Sequence, residues 1–502
     1  MTLALAIALV YFVALIIVAS LYTRKKVKTA ADFADAGGQM GWVLVTFAFV
    51  LAPLGSGHTM SLWEASTGPL GASAAMWGIG AGAIFLPLAM LWFGPWMHES
   101  GCKTVPQIIE KIYGKKLGFL HACVQTMTWT GIGASETIAT GTAIYGLSGG
   151  KIPFQPWCIL IGFCLIVCYV LFGGLLQMAW LNIINSIVMI IGSYTALFLL
   201  GGYLAANLGG WGYVKDFYEG LGTVGKLTQL NLGNQGVWFN IILPVIILHS
   251  TAGGVAQVMM QPFFGAKDSQ SCRKGVFLGA GINFMSCVPW VCMGLIGMTI
   301  PSVVSAGGSN IGKLVVPLLA QEALPAPIVG LLMIALLCAT LSTGGGIVLA
   351  NANVVTTDII KGALFPNMKD KTEMNLMKVM IIVCAVLLVI PALTVPVVMP
   401  VFLWVFSFGM PVFVVFIIGL HWKINRTAAW VTIVVAFIVD LIWTFVPSVA
   451  NSMPAPFNVN MYAVLLVSIV FGVVLTAILP GKPGLRRQVR MDARAAKARA
   501  NA

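Results

Sequence analysis

Charge is scarce in this chain: Asp, Glu, Lys and Arg make up 9% of its 502 residues. A fully solvated surface carries roughly a quarter to a third of its residues as charges, so an ordinary soluble domain is excluded. Acid is scarcer still, with 15 Asp plus Glu against 28 Lys plus Arg. Ten cysteines are present, but they lie mainly in apolar runs and form no C-x-x-C pair. Neither a disulfide framework nor a structural zinc site is indicated. No H-E-x-x-H or G-x-S-x-G segment occurs, so an enzyme is not expected, nor any cofactor. Repeated filter or pore-lining rings, the mark of a channel, are lacking too.

What fills the chain instead is apolar: 59% of the residues, with mean hydropathy +0.96. This predicts an all-α polytopic membrane protein. A spanning helix needs roughly 20 mostly apolar residues, and about thirteen such stretches start near Leu3, Trp42, Ser73, Leu117, Trp157, Leu176, Val237, Val276, Pro327, Lys378, Pro400, Thr427 and Met461. With the N-terminus outside and the spans alternating, all 28 basic residues fall in inside segments except Lys151, Lys215, Lys226 and Lys313. The positive-inside rule therefore accounts for the net charge of +13, and no nucleic-acid partner is needed to explain it. The tail RRQVRMDARAAKARA reads as a solvated cytoplasmic end in contact at most with membrane lipids. TRKKVK follows the first span as a stop-transfer flank, and no cleavage site precedes it, so that span is expected to remain in the mature protein.

Two of the spans are interrupted. LAPLGSGHTM, residues 51–60, places a proline, two glycines, a serine and a histidine at about bilayer depth. VIILHSTAGGV, residues 245–255, repeats the theme with His249, Ser250, Thr251 and a glycine pair. Unwound backbone persists in lipid only where it lines a cavity or binds something. Each interruption opens a block of five spans, 42–206 and 237–420, separated by an external loop at 207–236. An odd number of spans inverts the second block, and paired broken helices in matching positions point to an inverted-repeat secondary transporter. The remaining parts are 1–41, an extra N-terminal helix with its cytoplasmic loop; 421–480, two peripheral helices; and 481–502, the basic cytoplasmic tail.

The segment LLCATLSTGGGIVLANANVVTTDIIK, residues 336–361, carries the most specific chemistry. Ala339, Ser342 and Thr343 stand at i, i+3 and i+4, so a carbonyl and two hydroxyls share one helix face. Hard cations take oxygen ligands, and such a face, joined by carbonyls freed at a nearby break, suits sodium. Ionisable residues at membrane depth are functional candidates: His58, Glu64, Glu136 and His249, with Asp440 on a peripheral span reading as structural. Ser56, Ser250, Thr251 and Gln257 complete the candidate solute contacts, while Trp63 and Trp129 read as packing.

The chain resembles the sodium:solute symporter family. The resemblance runs over roughly residues 1–480, through TAADFADAGGQMG, TVPQIIEKIYG, GGLLQMAWLNIINSIVMIIG and QPFFGAKD, and is clearest in ATLSTGGGIVLANANVVTTDIIK. It implies a leucine-transporter-type inverted five-helix repeat with an extra N-terminal helix. It also implies a sodium site with backbone carbonyls from Gly57, Met60 and Ala339 and hydroxyls from Ser342 and Thr343. The chain departs from the family pattern at Asn182, where a carboxylate is common, at Asn185, at Gly344 to Gly346, which lack the hydroxyls of a second sodium site, and at Thr59. The expected function is sodium-coupled import of a small polar organic solute across the plasma membrane. A neutral, zwitterionic or amine-bearing solute suits a cavity rich in carboxylates and imidazoles. Proton coupling on the same fold is the alternative, and a non-transporting sensor or channel the alternative of another class.

Overall fold

The computed structural model describes residues 3–23, 25–68, 70–220, 228, 235–394, 404–489 and 491. They are mostly helical. Among the described residues, eleven helices are long and apolar enough to cross a membrane, and thirteen when each of two bent pairs counts as one span.

That total matches the sequence expectation, but its membership differs at two places. By composition Pro301–Ala323 qualifies, whereas Lys115–Leu147, anticipated from Leu117, does not. Length reverses this. The 33 residues of Lys115–Leu147 rise about 50 Å at 1.5 Å per residue, ample for a hydrocarbon core of about 30 Å. Pro301–Ala323 is instead two helices, Pro301–Gly307 and Ile311–Ala323, joined through Gly308 at φ 49°. The longer, at 13 residues, rises only about 20 Å. Lys115–Leu147 is the less apolar because it carries Thr128, Ser135, Glu136, Thr137, Thr140 and Thr142, all of them buried against protein rather than facing lipid.

The helix Ala326–Leu364 forms the core. Its most apolar stretch is 78% buried, against 22% for the N-terminal helix Ala4–Thr23. It packs mainly on Lys115–Leu147 and Gly174–Asn207. The N-terminal helix, apolar on all sides, leaves Val10, Val13, Ile17 and Leu21 exposed, the surface a lipid-facing helix presents.

Helix starts follow the local sequence. Thr29 and Asp32 form a capping box on Ala30–Asp35, and Thr104, Asp268 and Asn425 cap the helices that follow them. Thr29, Thr104, Asp268 and Asn425 each satisfy a free N–H group of a first turn, and all four lie in the segments rich in Lys and Arg. Asp440 accepts from Ser407 and Asn460 at 2.9 and 3.0 Å, tying the peripheral helices together.

The start of the basic tail is docked, contrary to the expectation of a solvated end. Lys482–Pro483 pairs antiparallel with Lys423–Ile424, and Arg486 lies over the Trp96 ring at 5.8 Å. The remainder of the tail, beyond residue 491, and most of the loop 221–234 lie outside the described residues.

Candidate functional site

Pro53 ends the first half of the first broken helix. Its nitrogen has no hydrogen to donate and its ring crowds the preceding turn, so Trp42–Leu51 stops just before it. The chain makes one short 3-10 turn, Ser56–His58, bends by 73°, and resumes as Met60–Ser66. The Thr59 hydroxyl donates to the Gly55 carbonyl at 2.9 Å. His58 Nδ1 meets the Pro53 carbonyl; a carbonyl only accepts, so this ring carries its proton on Nδ1.

Glu136 closes over the break. Its carboxylate accepts from the Ser56 N–H and the Ser56 hydroxyl, both at 2.8 Å, and Ser56 Oγ lies 2.7 Å from Ser135 Oγ. All three side chains are buried. An N–H with no place in a helix thus finds an acceptor on a neighbouring one.

The Ser-Thr face lies across from this break. Thr343 donates to the Leu51 carbonyl and reaches the Ala339 carbonyl at 3.3 Å, while Ser342 donates to Asn182 Oδ1 at 2.6 Å. Ala339 packs with Val50, Leu51 and Leu54. The carbonyl that meets Thr343 therefore lies six positions ahead of Gly57. Gly57 sits within the 3-10 turn, and Met60 opens the next helical segment with its sulfur 3.7 Å from the Thr142 hydroxyl. The first residues of a helix leave N–H groups free, whereas the last leave carbonyls free. Met60 is on the side of the break that offers donors; Leu51 is on the side that offers acceptors. Pro53 was the signal for this, because the turn ahead of a proline is the one that loses its donors.

The second broken helix interrupts later than its sequence suggested. Leu243–Thr251 remains α-helical through His249, Ala252–Val255 tightens into a 3-10 turn, and the chain breaks at Ala256 before Gln257–Phe264, with a bend of 51°. His249 nevertheless meets the first break: its ring stands edge-on to His58 at 5.5 Å and stacks on Phe406 at 5.2 Å. Phe406 in turn meets Trp129 at 5.3 Å. Ser56, His58, Glu136 and His249 are therefore gathered at the two breaks, with Trp129 and Phe406 as aromatic neighbours. Phe406 was missed, although FLWVFSFG is dense enough in aromatics to have drawn notice.

Four other candidates lie elsewhere. Ser250 and Thr251 donate to the carbonyls of Ile246 and Ile247 in their own helix. They face a lateral apolar cleft of about 610 Å³, lined also by Phe85, Phe413, Leu465 and Val473. Glu64 lies against Gly312 in the pair of short helices at 301–323, within the electrostatic reach of Lys313, and Trp63 Nε1 donates to the Gly312 carbonyl at 2.9 Å. Gln257 ties main chain: its Oε1 accepts from Val105 N at 2.8 Å and its Nε2 donates to Lys103 O at 3.3 Å.

Gln257 belongs to a cluster on the face of the basic loops. Thr104 and Gln107 donate to Asp358, and Lys103 pairs with Asp35 at 3.0 Å. Burial pushes the Asp35 carboxyl above its usual range, opposed by the Lys103 ammonium. A raised carboxyl pKa favours the folded state below the ordinary value, and that contribution is lost as pH rises through the raised one. Lys103→Ala removes the opposing cation, so it should cost about 1–3 kcal/mol at neutral pH. Melting of the purified protein should show the loss shrinking as pH falls and Asp35 takes up its proton, which its raised pKa lets it do earlier than an ordinary carboxyl, and Asp35→Asn should recover part of it.

The comparisons with known proteins accord with this geometry. The sequence profile of the sodium:solute symporter family matches residues 33–435. The sodium/myo-inositol cotransporter 2 of Mus musculus is 22% identical over 484 residues, covering 87% of this chain and 69% of that protein. The high-affinity choline transporter 1 of Caenorhabditis elegans is 22% identical over 423 residues, covering 78% of this chain and 68% of that protein. Among solved structures, the substrate-bound outward-open state of a Na+-coupled sialic acid symporter superposes with a TM-score of 0.77. At 16% identity it covers 96% of this chain and 98% of that one. The fold is the leucine-transporter-type inverted repeat with an extra N-terminal helix.

Proposed function

Because this chain belongs to the sodium:solute symporter family, we propose that it is a sodium-coupled symporter importing a small polar organic solute by alternating access. The observation that carries this reading is the pair of buried hydroxyls on Ser342 and Thr343, the second held against the Leu51 carbonyl at the end of a broken helix. Sodium takes the oxygens of Ser342 and Thr343 with the carbonyls of Ala339, Leu51 and Leu54. The last two share the i, i+3 spacing of Gly57 and Met60 but lie on the acceptor side of the break. No formal charge stands among these ligands.

The solute lies beside Ser56, His58, Glu136 and His249. These groups offer a carboxylate and two imidazoles, and no Lys or Arg joins them among the described contacts. A neutral, zwitterionic or amine-bearing molecule fits that surface. Inositol and choline appear in the names of the relatives, a polyol and a quaternary amine, so the family alone leaves the solute open. Sodium bridging the first broken helix and the Ser-Thr helix favours one conformation and preorganises the solute site, and each ligand then strengthens the other's binding. The repeats at 42–206 and 237–420 move against each other, in the plasma membrane, with the N-terminus outside and the C-terminus cytoplasmic.

Thermal stabilisation of the purified protein by NaCl, with KCl and choline chloride as controls, tests the reading. Saturable stabilisation by sodium alone, lost in Ser342→Ala/Thr343→Ala, is expected. An equal response to all three salts, with melting that follows pH instead, would overturn sodium coupling in favour of protons.

A further inference from the structure

Ser342 stands at one end of a buried chain of side chains that reaches the N-terminal helix. Its hydroxyl meets Asn182 Oδ1 at 2.6 Å; Tyr169 OH meets the same oxygen at 3.0 Å; Asn185 Nδ2 meets Tyr169 OH at 2.7 Å; and Tyr11 OH meets Asn185 Oδ1 at 3.2 Å. Tyr169, Asn182, Asn185 and Ser342 are all nearly fully buried.

The direction of every bond follows from one fixed point. Asn182 Nδ2 reaches the Phe47 carbonyl at 3.4 Å, and a carbonyl can only accept, so the amide nitrogen belongs on that side. Oδ1 then faces Tyr169 and Ser342, and since it carries no hydrogen both hydroxyls must donate to it. Tyr169 has one proton, now directed at Asn182, so its oxygen accepts from the Asn185 amide nitrogen. Asn185 is thereby turned with Oδ1 toward Tyr11, which donates in its turn.

We infer that Asn182 is a positioning residue for the coupling ion: it holds the single Ser342 proton away from the ion and leaves the serine lone pairs facing it. Tyr169, Asn185 and Tyr11 keep the Asn182 amide from flipping. A hydroxyl is a good cation ligand only when its proton points elsewhere, and a free rotor must give up that freedom on binding. Here the orientation is set before the ion arrives, by groups without formal charge. This rests on the sodium site proposed above and adds the residues that orient it. Thr343 lacks such a partner: its proton goes to Leu51, one of the candidate ligands.

The test is the apparent sodium affinity of the purified full-length protein, read from thermal stabilisation across a NaCl titration, with the melting point in choline chloride as the measure of folding. Asn182→Leu should weaken sodium about tenfold, and Tyr169→Phe about threefold. Asn182→Asp keeps an acceptor for the serine proton and should bind sodium at least as well as the wild type. In a Ser342→Ala background, Asn182→Leu should add no further loss, because the hydroxyl it orients is gone. If Asn182→Leu falls too far in choline chloride to be titrated, Tyr169→Phe and Asn182→Asp carry the comparison. Equal weakening by Asn182→Asp and Asn182→Leu, or additive losses with Ser342→Ala, would overturn the inference. An unchanged sodium response in Ser342→Ala/Thr343→Ala would remove the site itself, a different failure from an intact site that ignores Asn182.

Discussion

Gly55→Ala should cripple the protein although it adds one methyl group. A Cβ at this position would overlap the Glu136 carboxylate, which accepts from the N–H and hydroxyl of the next residue, Ser56. The carboxylate cannot retreat without giving up both bonds. A buried polar group stripped of its partners costs about 1–3 kcal/mol. The alternative is for the break itself to shift, which moves the Leu51 end of the helix away from Thr343. Either way the expected result is a large drop in melting temperature together with loss of stabilisation by sodium. Glu136→Ala in the same chain clears the space, so Gly55→Ala/Glu136→Ala should melt higher than Gly55→Ala alone. A double variant that melts no higher would refute the overlap as the cause.

Gly174→Ala should be more damaging still. Gly174 has φ 56°, a left-handed conformation that costs an ordinary residue about 1–2 kcal/mol. It begins the helix Gly174–Asn207, and there its Cα faces the backbone of Phe33; a Cβ would run into the Phe33 carbonyl. Main chain cannot rotate aside as a side chain does. Overpacking adds about 1–3 kcal/mol, and the short helix Ala30–Asp35 cannot slide, because Gln261 holds the Ala34 carbonyl and Lys103 holds Asp35. Little monodisperse protein should survive size-exclusion chromatography. Gly202→Ala, in the same helix with open space around it, should by contrast be neutral or stabilising by about 0.5–1 kcal/mol. Similar yields for the two variants would contradict the close approach.

The architecture was readable because lipid imposes it. Each span must be long and apolar, and a proline with glycines inside one has to be explained, so the thirteen spans and the two broken helices were visible before any coordinates. Composition alone would take Pro301–Ala323 for a span and pass over Lys115–Leu147; the apolar stretch near Leu117 was nevertheless read as a span and 301–323 was not, and length and burial agree. What the sequence does not carry is the rotation of one helix against another. Which carbonyl faces Thr343 is set by how two helices almost three hundred residues apart are rotated against each other. The sequence contains the break but not that rotation, and the carbonyl that Thr343 meets lies six residues ahead of Gly57. Rotation also decides where Ser250, Thr251 and Gln257 point: their residue types suit solute contact, and their helix faces turn to a lateral cleft and to the backbone at Lys103 and Val105.

The grip of the Gly312 carbonyl on Trp63 makes the paired short helices at 301–323 a mechanical extension of the first broken helix. Trp63 lies one turn past the break, and Ser309 is exposed three residues before Gly312. A fluorophore attached at Ser309 would therefore act as a lever arm. Its signal would report, from a water-accessible point, each tilt that the coupling ion or solute imposes on a segment buried at the centre of the bundle.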